Sequence, residues 1–160
     1  MEQAENTIER LTQRAQVQAR DLNVILGAHL QSQVDSQPIP NKWSFNEQLV
    51  HLTRYARHFT QRIKAMQEGT ILLPRYVENE DDSWREECLL PVDTILSNYW
   101  VVRQAVISQL SIRHNWNFGA KHPKLGYLMF LEWMEFFLQH EGHHVYTLFK
   151  MSKIQNKADG

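Results

Sequence analysis

Residues 130–151 read FLEWMEFFLQHEGHHVYTLFKM. Phe130, Trp133, Phe137, His140, His144, Leu148 and Met151 recur at intervals of three and four, with Met134 alongside. One face of a helix therefore carries apolar groups along its length and two imidazoles at its middle. A half-buried strand would need alternation at a period of two, and this stretch has none. Three further stretches share the helical spacing: Ile8 to Leu30, Phe45 to Met66 and Val92 to Leu110. The expected fold class is all-α, a four-helix bundle.

Local chemistry marks the boundaries. The run 36–40, with Pro38 and Pro40, cannot continue the first helix. Ser44 followed by Glu47 reads as a capping box opening the second. Gly69 closes it, Pro91 precedes the third, and Pro123 suits the start of the fourth. Helices two and three are separated by residues 69–91, a connection long enough to cross the bundle. It contains the acidic run 78–82, read as a solvated loop. One domain is expected over residues 1–152, with 153–160 as a disordered tail.

Composition narrows the class. A chain of 160 residues with 42% hydrophobic and 22% charged side chains can bury a core without staples. A formal net charge of -1 argues against nucleic acid and anionic membrane surfaces as partners. Residues 1–20 contain no apolar signal core, and residues 125–138 are too short and too charged to span a bilayer. The single cysteine, Cys88, makes no internal disulfide, and a cytoplasmic location is expected.

Histidine is the outlier, with eight residues, three of them between 140 and 144. Positions i and i+4 lie one helical turn apart, so His140 and His144 can place two imidazole nitrogens on one ion. Two buried imidazoles without a metal would each need a hydrogen-bond partner. His143 is rotated about 60° away and flanks the pair. The same letters spell the zinc-protease pattern His-Glu-x-x-His, with Glu141 as base. That reading lacks a downstream third ligand and a strand to align a peptide. Helix two offers Glu47, His51 and Tyr55 one turn apart; Glu47 is explained by capping, and His51 alone reads equally as a half-buried histidine. Tyr55, His58 and the loop 113–119 are candidate pocket walls, although Trp116 and Phe118 also suit core closure. Trp43, Trp84, Trp100 and Trp133 read as packing residues.

The pattern Trp43-Ser44-x-x-Glu47-x-x-x-His51-Leu52 resembles the helix-two signature of the DinB/YfiT-like metalloenzymes. His122-Pro123-x-Leu125-Gly126, Glu132-Trp133 and His140-Glu141-x-His143-His144 extend the resemblance across residues 43–148. It implies a four-helix bundle with a long crossover between helices two and three, often a homodimer, with a three-histidine metal site at one end. The ligands it implies are His51, His140 and His144. It further implies a divalent metal, with zinc and nickel best suited to three nitrogens and iron or manganese as alternatives. Relatives include thiol-dependent enzymes, so a low-molecular-weight thiol and a small-molecule substrate are among the expectations. The aromatic fourth helix (Tyr127, Phe130, Trp133, Phe136, Phe137) also fits a homodimer. Two functional classes remain open: a metal-dependent transferase or hydrolase, and a non-catalytic metal- or ligand-binding bundle with a stress-related role. A third reading keeps the histidines as hydrogen-bonded core residues.

Overall fold

The computed structural model describes residues 2–27, 37–73, 76, 82–112 and 116–158. Its helices are α1 (Glu2–Gly27), α2 (Phe45–Gln67), the short α3 (Asp82–Cys88), α4 (Val92–Ile107) and α5 (Phe130–Ala158). The expected capping box opens α2: Ser44 Oγ accepts from Glu47 N at 3.2 Å, and Ser44 N donates to Glu47 Oε2 at 2.7 Å. Two orphan amides are thereby satisfied, which fixes where the helix starts.

Two clusters of buried apolar side chains hold the four long helices together. The first joins Leu11 and Ala15 of α1, Phe59 and Ile63 of α2, Val106 of α4, and Phe130, Trp133 and Phe137 of α5. The second joins Leu22 and Ile25, Phe45 and Leu49, Val92 and Ile95, and Leu148 and Met151 from the same helices. The order of contribution sets direction. α1 and α5 run from the first cluster to the second, whereas α2 and α4 run from the second to the first. The helices thus form two parallel pairs set antiparallel to each other.

Between the clusters lies a polar layer. Gln18, Gln48, His51, Arg103, Glu141 and His144 are all buried there, between 1% and 9% exposed. Burying so many polar groups is costly unless each is answered, so this layer is where function is to be sought.

Several details differ from the sequence reading. The fourth helix starts at Phe130, and Pro123 belongs to the turn of an antiparallel hairpin, β1 (Gly119–His122) and β2 (Gly126–Met129). His122 Nδ1 accepts from Lys124 N and Leu125 N, both at 3.1 Å, and Gly126 takes a positive φ of 81° that favours glycine. The two four-residue strands are too short for alternation to register as a signal. Glu132 then caps α5 by accepting from Met129 N at 2.8 Å. At the other end, α5 continues to Ala158, past residue 152 where the sequence reading ends the domain. No glycine or proline interrupts residues 145–158. α1 is described to Gly27; Leu30 lies outside the described residues, as does most of the acidic run. No helix is long and apolar enough to cross a membrane among the described residues. Of the helix-four aromatics, Phe130, Trp133 and Phe137 are buried within this chain, while Tyr127 is exposed. Exposed aromatic surface on α5 itself comes from Tyr146 and Phe149 instead.

Candidate metal centre

His51 reaches the polar layer from α2, and His140 and His144 reach it from α5. One nitrogen from each lies within 4.8 Å of the other two. His51 Nε2 and His140 Nε2 approach to 3.2 Å. Nitrogens bonded tetrahedrally to one zinc ion at about 2.0–2.1 Å stand about 3.3 Å apart. This pair stands at the spacing of two ligands on one ion, which is also hydrogen-bond distance between the two rings. The resemblance implied a site at one end of the bundle; here it sits between the two apolar clusters.

Burial sets the protonation state. It lowers the His51 pKa to about 3, with His140 adding to the effect. The same desolvation lowers His140 to about 4, helped by His143, and His144 to about 2, helped by His51, His140 and His143. All three rings are therefore neutral at pH 7, the form that ligates a metal. His144 Nδ1 donates to Gln48 Oε1 at 2.6 Å, which fixes its tautomer and leaves Nε2 for the ion. His140 Nδ1 is buried without a hydrogen-bond partner among the described residues.

Aromatic rings enclose the cluster. Tyr55 stacks on His140 with centroids 3.8 Å apart. Trp43 lies 4.9 Å from His51 and nearly parallel to His144 at 6.3 Å. Tyr76 meets His51 edge-on at 6.0 Å. Trp43 is therefore a site residue as well as a packing one. Its place could not be read from the sequence, because its contacts come from two helices. Gln48 was also missed, though its position one turn before His51 on the same face was a usable signal.

Each letter of the segment 140–144 has a distinct role. Glu141 points away from the histidines, 1% exposed, and accepts from Arg103 Nε at 3.0 and 3.1 Å and from Nη2 at 2.9 Å. Burial raises the Glu141 pKa, and the guanidinium opposes that rise. Arg103 also donates to Ala15 O at 2.7 Å, so the pair ties α5 to α4 and α1. A zinc-protease base would face the ion, and this carboxylate does not. Gly142 lets Gln18 approach: a Cβ there would stand 2.5 Å from Gln18 Nε2, which donates to Leu138 O at 2.9 Å. His143 is exposed and meets His144 edge-on at 5.4 Å.

The other candidates fall elsewhere. His58 packs on Tyr76, with ring centroids 5.2 Å apart, and lies outside the group of three histidines. Phe118 packs on Phe130 at 4.9 Å, and Trp116 packs against the first cluster, so both close the core. Residues 113–115, with Arg113 and His114, lie outside the described residues.

Within the four-helix bundle, α2 and α5 bring three neutral imidazoles together in a buried polar layer, a group that could hold a metal ion. The profile of the DinB superfamily matches residues 4–148, and the chain belongs to that superfamily. Among solved structures, it is similar to YfiT from Bacillus subtilis, described as "a probable metal-dependent hydrolase with an unusual four-helix bundle topology". The two align with a TM-score of 0.72 over 98% of this chain and 89% of that one, at 16% identity, a likeness of fold. No curated protein matches.

Proposed function

We propose that His51, His140 and His144 hold one divalent metal ion and that the protein is a metal-dependent hydrolase of a small molecule. The observation that carries this reading is the convergence of three neutral imidazole nitrogens within 4.8 Å, two of them 3.2 Å apart. A divalent ion on three nitrogens keeps a position for water and lowers the pKa of that water toward neutrality. The chain's own residues prepare the site. Gln48 fixes the His144 tautomer, desolvation keeps all three rings unprotonated, and Tyr55 and Trp43 hold ring orientations by stacking. Zinc and nickel suit the donor set best. The hydrolase reading is supported by the description of the similar fold.

The test is hydrolysis of small esters and amides by zinc-, nickel- and manganese-loaded protein, alongside chelated protein and His144→Ala. Turnover that needs bound metal and vanishes in the variant is expected. A stoichiometric ion with no turnover above the free metal would instead assign the site a structural role. Turnover that appears only with an added thiol would reassign the reaction to thiol transfer.

A further inference from the structure

Two of the clefts beside the polar layer differ in charge. Arg54 and Arg57 line the first, of about 370 Å³, and both face the Glu87 carboxylate, at 2.9 and 3.5 Å. One carboxylate thus offsets part of its positive charge from within. The second, of about 400 Å³, meets the candidate metal centre directly, because His144 and Gln48 line it. Trp43 is part of its wall, and Lys42, His143 and Lys150 stand around it. None of its lining residues is a carboxylate. Neither lysine forms an ion pair among the described residues, and Lys150 Nζ rests 4.8 Å from the Tyr146 ring centroid. The closest acid in sequence, Glu47, is occupied in capping α2 through Ser44 N and accepts from Gln37 Nε2 at 3.4 Å.

A chain with a net charge of -1 thus gathers two lysines in one concavity beside its histidine cluster. Concave walls of low dielectric focus such a field and raise the local concentration of anions. Ammonium groups bind carboxylate and phosphate oxygens through charge-assisted hydrogen bonds. The indole of Trp43 and the side chain of Ile39 give the same cleft an apolar side.

We propose that this cleft seats a small organic anion, a molecule carrying a carboxylate or phosphate beside an apolar group, with Lys42 and Lys150 determining specificity. The proposal rests on the metal reading only for what happens next to the cleft. A molecule seated there lies against one face of the site, at the His144 ring.

The experiment is calorimetric titration of zinc-loaded, full-length protein with phenylphosphonate, using phenylmethanol as the uncharged counterpart. The phosphonate is expected to bind and the alcohol to bind at least tenfold more weakly. Lys42→Glu/Lys150→Glu is expected to weaken phosphonate binding tenfold or more while zinc, measured by elemental analysis, stays at one per chain. Lys121→Glu/Lys124→Glu, the same charge change on the distant hairpin, is expected to stay within threefold of wild type. Equal affinity in wild type and the cleft variant would overturn the proposal, since an ion alone would then be holding the anion. So would an equal loss in the hairpin variant, or no binding by wild type. If wild type retains no zinc, the metal reading fails, and the same titrations still decide the cleft.

Discussion

The Arg103–Glu141 pair offers the most exacting perturbation of the polar layer. Its side chains are 5% and 1% exposed, so neither charge has water to fall back on. Arg103→Leu would strand the Glu141 carboxylate and remove the donor to Ala15 O. Breaking a buried pair by removing one partner costs about 3–5 kcal/mol. For a domain of this size about 1 kcal/mol moves the melting temperature by roughly 2–4 °C, so a fall of about 6–20 °C is expected. Arg103→Met/Glu141→Leu removes both charges and is expected to recover most of that stability, because apolar replacement of a whole buried pair is often neutral or better. The double variant then isolates geometry. Glu141 lies one residue beyond His140 and three before His144, so the pair sets the rotation of α5 that aims both ligands at His51. Zinc affinity in the refolded double variant is expected to fall about tenfold, the low end of the effect of groups supporting metal ligands. Urea unfolding and zinc competition against a chromophoric chelator read the two effects separately. A single variant less than about 1 kcal/mol weaker than wild type, or a double variant no better than the single, would refute the energetic reasoning. Wild-type zinc affinity in a stable double variant would refute the positioning.

Further consequences can be checked independently. Gln48→Leu removes the acceptor that fixes the His144 tautomer, and zinc affinity should fall about 10–100-fold in a protein that still folds; competition titration measures it. In metal-free protein the three histidines have folded pKa values of about 3, 4 and 2, below the unfolded value of 6.5. The unfolded chain therefore binds more protons below pH 6.5, and stability is lost as pH falls from there toward the folded values. Each histidine should contribute about 1.6 kcal/mol of that loss between pH 6.5 and 5, and His144→Leu should flatten the slope below about pH 5.5 by about 1.4 kcal/mol per pH unit in urea unfolding. An unchanged slope in the variant would contradict the neutral, desolvated state. The expected homodimer would give twice the 19.0 kDa chain mass in sedimentation at micromolar concentration, and a species of 19.0 kDa would count against it.

How much of this was legible depends on the length over which each signal repeats. The helices announce themselves because a three-and-four spacing accumulates over many turns, as from Phe130 to Met151. The hairpin does not, because Gly119–His122 and Gly126–Met129 offer two side chains per face and a turn that Pro123 disguises as a helix start. His140 and His144 were legible as a local pair. His51 was not separable from an ordinary half-buried histidine without the family pattern, because its partners come from α5. Arg103 is indistinguishable in sequence from a solvated arginine, and only the tertiary contact reveals that it answers Glu141. Tyr76 reaches His51 from the long connection, where no periodicity predicts position.

The most direct test of the central claim is metal content of the full-length protein purified without a metal-affinity tag or chelator, measured by elemental analysis beside His51→Leu and His144→Leu. One divalent ion per chain is expected in wild type and little in either variant, with both variants still helical by circular dichroism. Wild-type protein that neither carries such an ion nor takes one up stoichiometrically on titration, or variants that retain it at wild-type affinity, would contradict a shared site on these histidines.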